Sequence, residues 1–175
     1  MKSPFTGNEM KKVCEKRTWK FRGEQYEYMH TAWLCEDSGE LFTTDETDDA
    51  GYAQVTNQYR VRYGIPFTDE ILAVRDKYGV PAAKMSQILG IGINQWRLYE
   101  NGEVPSVSNG RMIRSIMNPE TFLNYVHSSK NLLGDNEYRR ITARIEDIMK
   151  SEAKNEWSLY AHSRIFSYER GRENG

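Results

Sequence analysis

From Phe67 onward the apolar residues fall into groups no longer than two or three helical turns, and glycine or proline punctuates each group. Ile71, Leu72, Val74 and Tyr78 end at Gly79; Met85, Ile88 and Leu89 follow Pro81 and stop at Gly90-Ile91-Gly92; Ile93, Trp96 and Tyr99 stop at Gly102. Such spacing leaves room for short helices with tight connections and for little else. Ser106 then caps a helix carrying Met112, Ile113 and Ile116, and Pro119 starts another with Phe122, Leu123 and Val126. After Gly134, ITARIEDIMK places Ile141, Ile145, Ile148 and Met149 on one face of a longer helix.

The chain upstream has a different texture. TWKFRG and EQYEYMHTAWLCE are rich in aromatic and β-branched residues, with Gly23 between them as a turn, and ELFTT follows as a short third strand. A sheet this small has little apolar mass and needs a partner or a staple. Thr43 followed by Glu46 has the spacing of a capping box, and Tyr52, Val55, Tyr59 and Tyr63 recur at helical spacing until Gly64 and Pro66. The expected fold class is therefore α+β, in four segments. Residues 1–43 form a small antiparallel β domain, 44–66 a linker helix, 67–130 an all-α domain, and 131–175 a C-terminal helical extension and tail.

Composition narrows the function classes. Among 175 residues, 28% are charged, and no apolar run approaches the roughly 18–20 residues that span a bilayer. MKSPFTGNEMKK lacks the apolar core of a signal peptide. The two cysteines, Cys14 and Cys35, are too few for a disulfide framework and suit a reducing compartment, so a cytoplasmic protein without a membrane partner is expected. The net charge of -1 hides a segregation. Residues 1–22 carry Lys2, Lys11, Lys12, Lys16, Arg17, Lys20 and Arg22, whereas 36–49 carry only acids. Asp45, Glu46, Asp48 and Asp49 fall in or near a helix's first turn, where its dipole favours them; an acidic partner surface is the other reading.

Two helices of about eight residues joined by a glycine turn, with helices on either side, make a helix-turn-helix, whose second helix enters the DNA major groove. Taken as a helix from Ile93 to Glu100, the second one would wedge Ile93, Trp96 and the edge of Tyr99 against Met85, Ile88 and Leu89. Asn94, Gln95, Arg97 and Leu98 would then face outward to the bases. An amide pairs bidentately with adenine and a guanidinium with guanine. Lys84, Ser106, Ser108, Arg111 and Arg114 are the candidates for phosphate contacts. A polar helix face that is merely solvated is the plain alternative.

GINQWRLYENGEVPS resembles the segment of MqsA-type antitoxins, and of the wider Xre/Cro-like helix-turn-helix group, that reads roughly G-x-N-x-x-x-R-Y-E-x-G-x-x-x-P. Gly92, Asn94, Tyr99, Glu100, Gly102 and Pro105 or Ser106 occupy matching places. Leu98 stands where that family has arginine, and Arg97 lies one residue earlier. The resemblance implies base reading for Asn94 and does not transfer the arginine's role cleanly. It covers about residues 1–118.

Upstream, members of that family carry a C-P-x-C knuckle, a hairpin containing T-F-R-G and a second C-x-x-C, which together bind zinc. Ser3-Pro4-Phe5-Thr6, Phe21-Arg22-Gly23 and Cys35-Glu36-Asp37-Ser38 match these places. Ser3, Thr6 and Ser38 stand where three of four thiolates would be. A structural zinc needs four nitrogen or sulfur ligands, so neither metal nor cofactor is expected. Hydroxyl hydrogen bonds and the aromatics Phe5, Trp19, Trp33 and Phe42 are expected to replace the metal as staple.

His30, His127 and His162 stand apart from any nucleophile at a telling spacing, and Gly90-Ile91-Gly92 neither completes a dinucleotide fingerprint nor follows a strand, so no catalysis is expected. The resemblance implies a homodimeric repressor of double-stranded DNA that is the antitoxin of a toxin–antitoxin pair, with an N-terminal domain that holds a partner protein. A protein-interaction adaptor whose bundle no longer reads DNA is the rival. In that case the C-terminal helix with Trp157, Tyr160 and Phe166 would serve as a binding face; the other reading, and the preferred one, is that they cap the bundle.

Overall fold

The computed structural model describes the backbone of residues 1–172 and the side chains of residues 1–155. The fold class is α+β, as expected. The chain divides into two compact units, Met1–Phe67 and Thr68–Gly175.

The first unit is a three-stranded antiparallel sheet, β1 (Lys11–Phe21), β2 (Glu24–Leu34) and β3 (Leu41–Phe42), in the order β1-β2-β3, with helix α1 (Asp45–Tyr63) packed against it. The β1–β2 register runs from Lys11 opposite Leu34 to Phe21 opposite Glu24. Arg22 (φ 49°) and Gly23 (φ 90°) close the hairpin. Positive φ at both central residues is the tight-turn geometry that matches strand twist. β1 starts seven residues earlier than the aromatic pattern suggests. Its Lys11–Arg17 half alternates poorly because only Val13 is even half-buried, so hydrophobic periodicity has nothing to register.

Helix α1 is no linker. Its N-cap is Thr44, one residue later than expected, and the reciprocal box partner is Thr47: each threonine hydroxyl accepts from the other's backbone N–H. Farther along, Gln54 reaches β2, where its Oε1 accepts from Met29 N at 2.9 Å and its Nε2 donates to Met29 O at 3.1 Å. Gln58 Nε2 donates to Glu27 O at 2.8 Å. One helical turn apart, these amides bond the β2 backbone as a neighbouring strand would, over the stretch that two-residue β3 leaves uncovered. Aromatic contacts complete the layer: Tyr52 lies 5.9 Å from Trp19, and Tyr59 meets Phe21 edge-on at 5.2 Å. At the hairpin end, Glu24 accepts from Tyr63, Tyr26 and Arg62, and those donors hold its carboxyl below the ordinary carboxylate range. Because α1 buries Val55 and Tyr59 here, the segment 44–66 belongs to the β domain.

The second unit comprises α2 (Thr68–Tyr78), α3 (Ala82–Leu89), α4 (Gln95–Glu100), α5 (Val107–Ser115), α6 (Pro119–Ser128), a 3₁₀ turn (Lys130–Leu132) and α7 (Asp135–Arg172). Its core joins Ile71, Val74 and Tyr78 with Met85, Ile88, Leu89, Trp96, Tyr99, Ile113, Ile116, Phe122 and Val126. Ile141 and Ile145 of α7 lie in the same core, with Ile148 and Met149 packed against it. The start of the sequence-defined extension is therefore part of the bundle. Trp157, Tyr160 and Phe166 lie outside the described side chains. Among the described residues no helix is long and apolar enough to cross a membrane.

Candidate nucleic-acid interface

The helix-turn-helix is α3 followed by α4, and its hydrogen bonds explain why a six-residue helix holds its place. So short a helix is unstable by itself. Gly90, left-handed at φ 65°, ends α3, and Ser129 donates from its hydroxyl to Ile88 O at 2.9 Å at that buried end. Ser86 of α3, itself buried, accepts from Trp96 N at 2.9 Å. That hydroxyl does the work of an N-cap from a different helix, since Asn94 at the N-cap position makes no capping bond. We expect Ser86→Ala to cost about 1–3 kcal/mol in urea unfolding, because it strands a buried N–H.

Behind the helix, Trp96 is fully buried, and its Nε1 donates to Glu100 Oε1 at 2.9 Å. The same Glu100 oxygen accepts from Arg75 Nε, tying α4 to α2. Tyr99 is buried too, and its hydroxyl accepts from Asn109 Nδ2 of α5 at 2.8 Å. The sequence pattern gave no warning of Ser86, Arg75 or Asn109, whose partners lie on other helices. Glu100 was visible only as part of the Tyr-Glu pair.

No family model and no curated protein matches the chain.

The outward face carries Asn94, Arg97 and Leu98, all exposed, with half-buried Gln95 beside them. Gln95 Nε2 donates to Glu103 Oε1 at 2.9 Å, so it is engaged within the unit. Asn94 adopts the left-handed conformation (φ 63°, ψ 1°), which asparagine tolerates better than other residues with a Cβ. Its backbone therefore gives one reason for asparagine here, independent of any base. The expected helix from Ile93 starts two residues later, and Ile93 does not wedge against α3: it is 93% exposed. The left-handed N-cap turns it out of the core.

The phosphate candidates divide. Arg111 is exposed and, like Arg97, makes no ion pair or side-chain hydrogen bond among the described residues. Ser106 accepts from Asn109 N at 3.1 Å as the cap of α5, and Ser108 is exposed in that helix's first turn. Lys84 is half-buried and paired with Glu137 at 3.1 Å, and Arg114 lies 3.7 Å from Glu70. These two arms are held by carboxylates, so a phosphate would have to displace an acid from each.

The degenerate knuckle positions are brought together in the first unit. Two matching turns face each other: Gly7 N donates to Ser3 O at 2.9 Å, and Gly39 N to Cys35 O at 2.8 Å. Ser3 is buried, its Oγ 3.1 Å from Cys35 Sγ and accepting from Phe5 N and Thr6 N at 3.2 and 3.4 Å. Asn8 Nδ2 donates to Asp37 Oδ2 at 2.8 Å, and that bond, with the Thr6 hydroxyl second, holds the carboxyl low. Among the described residues no three His, Cys, Asp or Glu side chains gather as a metal site. Of the expected aromatic staples, Phe5 and Phe42 do meet, at 5.7 Å. Trp33 lies under Lys12 instead, and Trp19 sits at the opposite end of the hairpin against Tyr28.

Hydrogen bonds from the Ser3 hydroxyl, then from Ser38, bring the Cys35 thiol down to about 7. An acidic group whose pKa falls on folding stabilises the fold above its unfolded value and loses that contribution as pH drops through the folded one. The first unit should therefore gain stability between about pH 7 and pH 8.5, and Cys35→Ser should flatten that rise in pH-resolved urea melts.

Proposed function

We propose that the chain is a sequence-specific DNA-binding regulator that reads the major groove with α4. The observation that carries this reading is the asymmetry of that helix. Trp96 and Tyr99 lock one side into the core, and the other presents Asn94, Arg97 and Leu98 to solvent, while α5 adds Arg111, exposed and without an ion pair among the described residues. A helix held rigidly on one face and left with amide and guanidinium groups on the other suits base edges and phosphates. The resemblance supports a homodimeric, cytoplasmic, non-catalytic repressor acting as an antitoxin, with the β unit for a protein partner. Palindromic half-sites would then lie about one helical turn apart.

The ion pairs at Lys84 and Arg114 favour the rival adaptor, since they lower the free positive charge around the motif. Fluorescence anisotropy of the full chain, on duplexes it selects from a random pool, separates the two over a salt series. The regulator's affinity falls steeply with salt as counterions are released. Arg97→Ala and Arg111→Ala should each lower the log–log slope by about 1 if the arginine touches phosphate. For Asn94, glycine keeps the left-handed turn and deletes the amide. Asn94→Gly is expected to fold normally and lose about 1–3 kcal/mol of discrimination at one base pair. If it reads the duplex as well as wild type, Asn94 is a turn residue only. Salt-independent binding, or no preference over random DNA, leaves the adaptor.

A further inference from the structure

Ile93 is an apolar side chain that the fold does not use. It precedes the N-cap of α4, and Leu98 is the fourth residue of the helix, the two places that ordinarily close on each other as a hydrophobic staple. That closure goes with an extended N-cap. Here Asn94 is left-handed, the chain arrives from another direction, and Ile93 stands 93% exposed with Leu98 at 41%. No other large apolar residue among those described is as exposed as Ile93.

We propose that Ile93 and Leu98 seat against thymine C5-methyl groups, so that α4 selects half-sites with thymine at the positions they reach. The inference rests on the DNA-binding reading above and gives that site its base preference. Thymine alone among the bases offers an apolar group in the major groove. Leucine and isoleucine have no side-chain donor or acceptor with which to read anything else there. Between them in sequence lies Asn94, whose amide suits adenine, the base opposite thymine. On the same helix Arg97 is exposed and makes no ion pair among the described residues, which suits a polyanion better than an apolar protein patch.

The probe is the duplex that the full chain selects from a random pool, made once with thymine and once with deoxyuridine in its half-sites. Uracil keeps every hydrogen-bonding group and removes only the methyl. Wild type is expected to bind the uracil duplex about fourfold more weakly for each methyl contacted. Ile93→Ala and Leu98→Ala should weaken thymine binding by a similar factor and reduce the thymine–uracil difference, with Ile93→Ala melting as wild type does. Crossing each protein with each DNA cancels any change in duplex stiffness. If wild type binds both duplexes alike, or the variants keep the full thymine preference, the methyl-reading assignment is overturned while DNA reading stands. If no duplex is enriched over random DNA, the DNA-binding reading itself fails and takes this inference with it.

Discussion

Trp96→Ala will destabilise the second unit by about 3–5 kcal/mol in denaturant melts, the range for deleting a buried tryptophan. Trp96 is fully buried at the centre of the bundle core and belongs to a helix of only six residues. Deleting it leaves a void between α3 and α4 and removes the bond to Glu100. Close packing limits how far the surrounding side chains relax, so collapse into the space should be partial. Trp96→Phe separates the two contributions: it keeps most of the volume, loses the indole donor, and should cost about 1–3 kcal/mol. If the alanine variant melts within 1 kcal/mol of wild type, the core does not depend on α4, and the rigidity assigned to the outward face goes with it.

Glu100→Ala comes next in size. Its carboxylate side chain is 10% exposed and receives both Arg75 and Trp96, so alanine leaves the indole N–H without its acceptor and Arg75 with only Asp76, at 3.4 Å. A loss of about 2–4 kcal/mol follows, below the figure for a wholly buried pair because Arg75 is about a third exposed. Glu100→Gln retains an acceptor for the indole and should lose roughly half as much. The penalty should persist in high salt, which screens exposed pairs far more than sheltered ones. An alanine variant that recovers wild-type stability as salt rises would show the pair to be a surface contact.

What could be read from sequence follows the range of each interaction. The α3 and α4 stripes depend on neighbours three and four residues apart, and Met85, Ile88, Leu89, Trp96 and Tyr99 are all buried as that spacing requires. Ile141 and Ile145 were legible as one face, with the bundle as one of two candidate partners for it, because periodicity says that a face is covered and not by what. Ile93 was misplaced by a single dihedral: a left-handed N-cap looks like any asparagine in sequence. The charged half of β1 was missed because both its faces are wet, and strand patterning depends on one dry face. Gln54 and Gln58 read as ordinary polar helix residues, since their partners are backbone atoms some 25–31 residues upstream. At the knuckle, the pairing of Ser3 with Cys35 was accessible only through the resemblance, and the thiol's acidity through neither.

Those two glutamines carry a consequence for how the chain is made. Synthesis releases β2 well before Gln58, roughly two dozen residues later, or about 1–5 s at ordinary elongation rates. During that interval the nascent hairpin has hydrogen-bonding groups exposed along both edges. The lysines and arginines of β1 repel a second copy on one side, while nothing yet covers Glu27 and Met29 on the other. The rate at which residues 35–58 follow β2 out of the ribosome should thus govern how much of this protein reaches its folded form. Faster elongation during that passage would raise the folded yield without altering a single residue.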